Sequence, residues 1–159
     1  MAKSTKPRKK YTPRPIIKST FGRIHQSFGS TIDWFDEQLR TGKTMTDERG
    51  EPVIITCKNS VCPVWESIES FIDLHGVAVR KGYPMPDIEQ LEAMHRALKN
   101  GVLLPQKTFE RAHGQLINLR NKLMRMPALT VANIAKDCEI MIHIQNQQAQ
   151  GHRLEVTHV

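Results

Sequence analysis

The sequence predicts a mainly α-helical domain: a four- to five-helix orthogonal or antiparallel bundle with one small β-hairpin and a disordered basic N-terminal arm. Three observations carry this expectation. Between Pro105 and Met126 the residues Phe109, Ala112, Leu116, Leu119, Leu123 and Met126 follow one another at steps of three and four, the spacing that keeps side chains on one side of an α-helix. The apolar content is aliphatic, with aromatic residues only 6% of the chain, which suits helix packing. The charge is segregated: residues 1–26 hold eight Lys or Arg and no acid, whereas residues 27–159 hold fifteen basic against sixteen acidic residues.

The arm comes first. MAKSTKPRKKYTPRPIIKST combines like charges with Pro7, Pro13 and Pro15, which interrupt a continuous helix and favour extended backbone. Residues 1–27 are therefore assigned to a basic, proline-containing arm, residues 28–150 to a single helical domain, and residues 151–159 to a frayed tail. The same prolines oppose the amphipathic helix that a mitochondrial presequence needs.

Within the domain, Ser30 is a candidate cap for a short helix with Ile32, Phe35 and Leu39 on one face, stopped by Gly42. A hairpin is expected at about residues 43–57, with DERG as its polar turn and the β-branched run Val53, Ile54, Ile55 as one strand. Pro63 to Lys81 returns to helical period, with Val64, Ile68, Phe71, Ile72, His75 and Val79 facing in and Gly82 as the stop. Asp87 to Lys99 is the next helix, turned inward by Ile88, Leu91, Met94 and Leu98 and closed by Asn100-Gly101. Val102 to Leu104 form a short apolar link into the Pro105 helix. Pro127 then breaks the chain. Thr130 caps a last helix from Val131 to about Gln148, whose Val131, Ile134, Cys138, Met141 and Ile142 are expected to pair with the preceding helix as an antiparallel hairpin.

Composition bounds the function. An odd number of cysteines, three, and no apolar leader near the start argue for reduced thiols in a cytoplasm, and no apolar run approaches the ~18 residues that cross a bilayer. Cys57, Cys62, His75 and Cys138 are metal-ligand types without metal-ligand spacing, so no metal is expected, and His75 on an inner helix face reads as a satisfied core histidine. The seven histidines lie in no nucleophile context, and carboxylate pairs such as Asp33 with Asp36 and Glu89 with Glu92 suit the positive ends of helices. Neither glycine-rich phosphate loop is present. The chain is expected to be non-enzymatic and to need no cofactor or small-molecule substrate.

Two features point to binding. The arm places Tyr11 among Lys6, Arg8, Lys9, Lys10, Arg14 and Lys18, a composition that tracks a phosphate backbone because each bound cation releases a condensed counterion. On the Pro105 helix, Lys107, Arg111, Asn118, Lys122 and Arg125 form a second stripe, away from the apolar one. Arg120, Lys122 and Arg125 also complement the negative end of that helix, which requires no partner. A helix-turn-helix is a further option for Asp87 to Met126, with Gln106, Lys107 and Thr108 at the start of the second helix.

The order of parts resembles small accessory proteins encoded by phages and prophages of Gram-negative bacteria. The likeness lies in the start KPRKKYTPRP, the segment LRTGKTMTDERGEPVIIT, the helix VWESIESFIDLHG and the pair IEQLEAMHRALKNGVLLPQKTFERAHGQL. That group brings no catalytic residues. It implies a protein made in a bacterial cytoplasm for host takeover or for blocking a defence system. The expected partner is nucleic acid or an acidic groove on a nucleic-acid-handling host complex. The alternatives are a DNA-binding transcriptional regulator and a virion structural or assembly component.

Overall fold

A computed structural model describes residues 15–56 and 59–156, with side-chain surroundings for residues 20–56 and 59–150. Among the described residues the order is α1 (Pro15–Thr41), β1 (Val53–Ile55), β2 (Val61–Pro63), α2 (Val64–Arg80), α3 (Glu89–Lys99), α4 (Gln106–Arg125) and α5 (Ala128–Val156). The architecture is mainly helical with one two-stranded antiparallel hairpin, as the residue pattern predicts.

Helix α1 corrects the division of the chain. It begins at Pro15, not near Ser30, so residues 15–27 belong to a helix and not to an arm. Proline suits a first helical turn, where its missing N–H has no intrahelical acceptor to reach. The apolar face that Ile32, Phe35 and Leu39 suggest runs back through Phe28 and Ile24. Ser30 does not cap; it lies in mid-helix and its hydroxyl donates to the Gln26 carbonyl at 3.2 Å. The one buried polar side chain in this core, Thr31, is satisfied twice, donating to the Ser27 carbonyl at 3.0 Å and sharing a 2.7 Å hydrogen bond with the Ser67 hydroxyl of α2. Residues 1–14 lie outside the described residues.

The hairpin is also displaced. The DERG turn exists, with Asp47 Oδ1 accepting from the Arg49 and Glu51 amides at 2.8 and 2.9 Å and Gly50 at φ +80°. Yet residues 44–46 contribute only an isolated bridge, Thr46 to Pro52. Pro52 faces β2, its carbonyl accepting from the Val64 amide at 3.0 Å, while the Val53 amide reaches the Met45 carbonyl at 3.1 Å. The strand Val53–Ile55 pairs forward instead, Val53 with Pro63, Ile54 with Cys62 and Ile55 with Val61. Asn59, at φ 56°, sits in the intervening turn, a conformation that asparagine tolerates better than most residues. Val53 and Ile54 are buried, and the hairpin lies with β1 against α1 and β2 against α2.

Helix α2 buries Val64, Ile68, Phe71, Leu74, Val77 and Ala78. Of the face expected from sequence, Ile72 and His75 are half-buried and Val79 is exposed. The helix ends at Gly82, φ +88°, where the Tyr83 amide reaches back to the Ala78 carbonyl at 3.1 Å. His75 Nε2 lies 2.8 Å from the Pro86 carbonyl, so this histidine is satisfied within the fold.

Helix α3 buries Leu91, Met94 and Ala97, with Leu98 only half-buried. Its first turn is capped from a distance: Gln115 Oε1 of α4 accepts from the Leu91 amide at 3.0 Å, while Gln115 Nε2 donates to Asp87 Oδ2 at 3.3 Å. Helix α4 buries Ala112, Leu116, Leu119 and Leu123, with Phe109 and Met126 partly buried at its ends, as the spacing predicts. Met126 is extended and Pro127 starts the turn into α5.

Helix α5 departs from expectation in partner and in length. It packs on α1 and α2 and does not run back along α4. It starts at Ala128, so Thr130 lies inside its first turn, and it continues to Val156. Val131, Ile134, Ala135 and Cys138 are buried and Met141 is half-buried, but Ile142 is exposed.

Two substitutions test this packing by urea unfolding. Leu116→Ala, at a fully buried position, is expected to destabilise the domain by about 2–5 kcal/mol. Gly101→Ala is expected to cost about 1–2 kcal/mol from backbone strain alone, because φ there is +65° and no atom lies within 4 Å of the added Cβ.

Candidate partner-binding face

Because α4 turns one stripe inward, its cations stand on the other side. Lys107, Arg111 and Arg125 are exposed and Lys122 is half-buried; none of the four makes a hydrogen bond or ion pair among the described residues. The helix is 20 residues long, roughly 30 Å at 1.5 Å per residue, so these four charges are spread over a long ridge. The nearest acid in sequence, Glu110, accepts from Gln106 Nε2 at 3.1 Å.

Helix α1 also meets the C-terminal part of α4. Phe21, Ile24, His25 and Phe28 of α1 close around Arg120, Leu123 and Met124 of α4 and Val131 of α5. Arg120 Nε is buried there without a hydrogen-bond partner. Of the arm residues singled out from sequence, Lys6, Arg8, Lys9, Lys10, Tyr11 and Arg14 lie outside the described residues, and Lys18 falls on α1 before the first described side chain.

A second group of charges lies between α2 and α3. Glu69 approaches His95 and Lys99, each at 3.5 Å, and the Lys99 ammonium stands 4.9 Å above the Trp65 ring. Trp65 Nε1 donates to Glu51 at 2.6 Å, tying the hairpin approach to α2. Burial holds the His95 imidazole below its ordinary value; Lys99 and Arg96 add to this and Glu69 and Asp73 oppose it. Burial, then the neighbouring Glu69, raises the Asp73 carboxyl, against the pull of His95 and Arg80. This is a packed polar seam. None of its acids or its histidine lines one of the main cavities. The largest of these, about 530 Å³, is an open groove between the end of α2 and α5, with Arg80, Lys81 and Asp137 beside Ile140, Met141 and Ile144.

Among the described residues no group of three or more His, Cys, Asp or Glu is placed to hold a metal ion. Cys57 lies outside them. Cys138 is a buried thiol whose pKa is pushed up to about 11 by burial, with Asp73 adding to it. Burial and the Glu66 carboxylate, 3.7 Å from its Sγ, also raise Cys62.

One residue of the short apolar link read from the sequence is the most exposed large hydrophobic side chain among the described residues. Leu103, in the turn between α3 and α4, is 97% exposed and its neighbour Val102 is 58% exposed. The available signal is the placement of two aliphatic residues between Gly101 and Leu104-Pro105, in a turn too short to bury them all.

The pKa directions give two expected outcomes. The unfolded chain takes up a proton at its imidazole, near pH ~6.5, before native His95 does, so stability should fall as pH drops through that range. His95→Gln should flatten that part of the profile; Asp73, raised when folded, acts in the opposite sense at lower pH. Pulsed alkylation at pH 8 with peptide mapping should leave Cys138 unlabelled in the native chain and label it after unfolding.

No helix among the described residues is long and apolar enough to cross a membrane. No protein-family model matches the chain, and no curated protein or solved structure is significantly similar to it.

Proposed function

We propose that the chain is a small, non-enzymatic, cytoplasmic binding protein that engages nucleic acid or an acidic groove of a nucleic-acid-handling host complex through its basic arm and the cationic ridge of α4. The observation that carries this reading is that Lys107, Arg111, Lys122 and Arg125 make no ion pair among the described residues. These four share one helix, and residues 1–26 add Lys6, Arg8, Lys9, Lys10, Arg14 and Lys18 with no acid among them. A concentrated positive field attracts a polyanion or an acidic protein groove and raises the association rate. Aromatic Tyr11 among the arm cations suits stacking on an exposed base. The likeness in layout to phage accessory proteins supports a role in host takeover or in inhibiting a defence complex.

A second reading is a DNA-binding regulator built on α3 and α4. It is favoured by the close packing of these two helices and by the exposure of Gln106, Lys107 and Arg111 at the start of the second. Its discriminating property is a preferred duplex sequence.

Two measurements test the main reading. Anisotropy with labelled duplex and single-stranded nucleic acid should show binding whose log K falls with log salt at a slope of about −5 if about six phosphates are contacted. Pull-down from bacterial lysate with and without nuclease separates a nucleic-acid partner from a protein partner. Deleting residues 1–18 and combining K107E, R111E, K122E and R125E should abolish both signals. Absence of nucleic-acid binding at ~50 mM salt together with an unaltered set of captured proteins for that variant removes the reading.

A further inference from the structure

The turn joining α3 to α4 is rigid, yet it holds its apolar side chains in water. Helix α3 closes with Gly101 in the left-handed region, φ +65°. The Gly101 amide donates to Leu98 at 3.3 Å and the Val102 amide to Ala97 at 2.8 Å, two interlocked bonds that fix the direction in which the chain leaves the helix. The Asn100 side chain adds a 2.8 Å bond to the Arg96 carbonyl. At the other end Pro105 has φ −59° and its carbonyl accepts from Thr108 and Phe109 at 3.0 and 3.2 Å. Leu104 turns inward and packs against the core. Leu103 is thereby presented outward by a backbone fixed on both sides. An exposed aliphatic side chain on a mobile loop loses conformational freedom on binding, whereas one already held in place has little left to lose.

The charges around this tip are mainly positive, the exposed Glu110 on the first turns of α4, held by Gln106 at 3.1 Å, being the exception. Lys107 and Arg111 stand exposed on the first two turns of α4, unpaired among the described residues, and Arg96 is exposed on the last turn of α3. Lys99 is divided between Glu69 and the Trp65 ring. A phosphate backbone satisfies the cations but offers no cavity for a leucine. An acidic protein surface with a hydrophobic pocket satisfies both.

We propose that Val102 and Leu103 form a docking knob, with Leu103 entering an apolar pocket on a partner protein whose rim carboxylates meet Lys107 and Arg111. This rests on the reading of the chain as a binding protein and selects the acidic groove over nucleic acid as the occupant of this end of α4. Filling such a pocket with one leucine is worth roughly ten- to a hundredfold in affinity.

The test uses the full chain as bait for a displayed random-peptide library, followed by dissociation constants of the recovered peptides for the native protein, L103S, K107E/R111E and K122E/R125E. Because the Leu103 side chain is almost wholly in solvent, L103S should keep the native melting temperature. The expected peptides carry a bulky apolar residue among Asp and Glu. They should bind at least about tenfold more weakly to L103S and to K107E/R111E, and unchanged to K122E/R125E at the far end of the helix. Peptides that bind L103S as well as the native chain, or a library that enriches nothing, overturn the knob; the broader reading fails separately, if both charge-reversed variants also retain all nucleic-acid and lysate binding. In parallel, a labelled duplex and vesicles containing phosphatidylserine are offered to native protein and L103S. A loss confined to either of these overturns the protein pocket in favour of a nucleic-acid wedge or a membrane contact.

Discussion

Helix α1 holds the domain together through rings that point to two different neighbours. Phe28 stacks on Phe71 of α2, with centroids 3.9 Å apart, and two turns further on Phe35 packs on Phe109 of α4 at 4.8 Å and on the His113 ring at 5.5 Å. Trp34 completes the second cluster against Phe35 and Phe109. Aromatic residues are scarce in this chain, yet those on α1 sit where helices must be joined, and the aliphatic stripes of α2 and α4 close around them. With α1 fixed on one side by α2 and on the other by α4, the remaining helices have defined seats: α3 between α2 and α4, and α5 across α1 and α2. The outward orientation of the α4 cations is a result of this arrangement, since a helix that must present Leu116 and Leu119 to the core has no freedom to turn Lys107 or Arg111 inward.

What was legible in the residues was whatever depends on local periodicity. The α4 stripe reads correctly because its apolar spacing is uninterrupted and its limits, Pro105 and Pro127, are covalent facts about the backbone. The Gly82 and Gly101 stops read correctly for a related reason: both need positive φ, which glycine supplies without steric cost. The failures lie where pairing choice or competing signals decide. Pro7, Pro13, Pro15 and the cations around them make residues 1–27 read as one extended arm, but the stacking of Phe28 and the packing of Ile24 draw residues 15–27 into α1. The hairpin register is not legible because Val53, Ile54 and Ile55 can pair on either side, and the bonded turn from Thr56 to Ser60 favours the forward pairing. Helix α5 was assigned to α4 by adjacency, whereas its buried residues meet α1 and α2.

The candidate site divides in the same way. The cationic ridge could be found from the wheel of one helix, because side chains opposite a buried stripe must face solvent. Leu103 could not, because whether an apolar residue in a short connection faces the core or solvent depends on the turn geometry. Exposure of an isolated aliphatic residue is ordinary on a protein surface. Its significance here comes from the bonded turn that holds it and from the mainly basic residues that border it. The polar seam of Glu69, His95, Lys99 and Trp65 was invisible for a different reason, since it needs α2 and α3 side by side before its members are neighbours.

The Gln115 side chain has an implication for how the chain keeps its shape. The Leu91 amide in the first turn of α3 has its acceptor 24 residues downstream, on α4. A helix of 11 residues is marginal on its own in water. Helix α3 therefore draws part of its stability from α4, and the turn that carries Leu103 is framed by two helices that support each other.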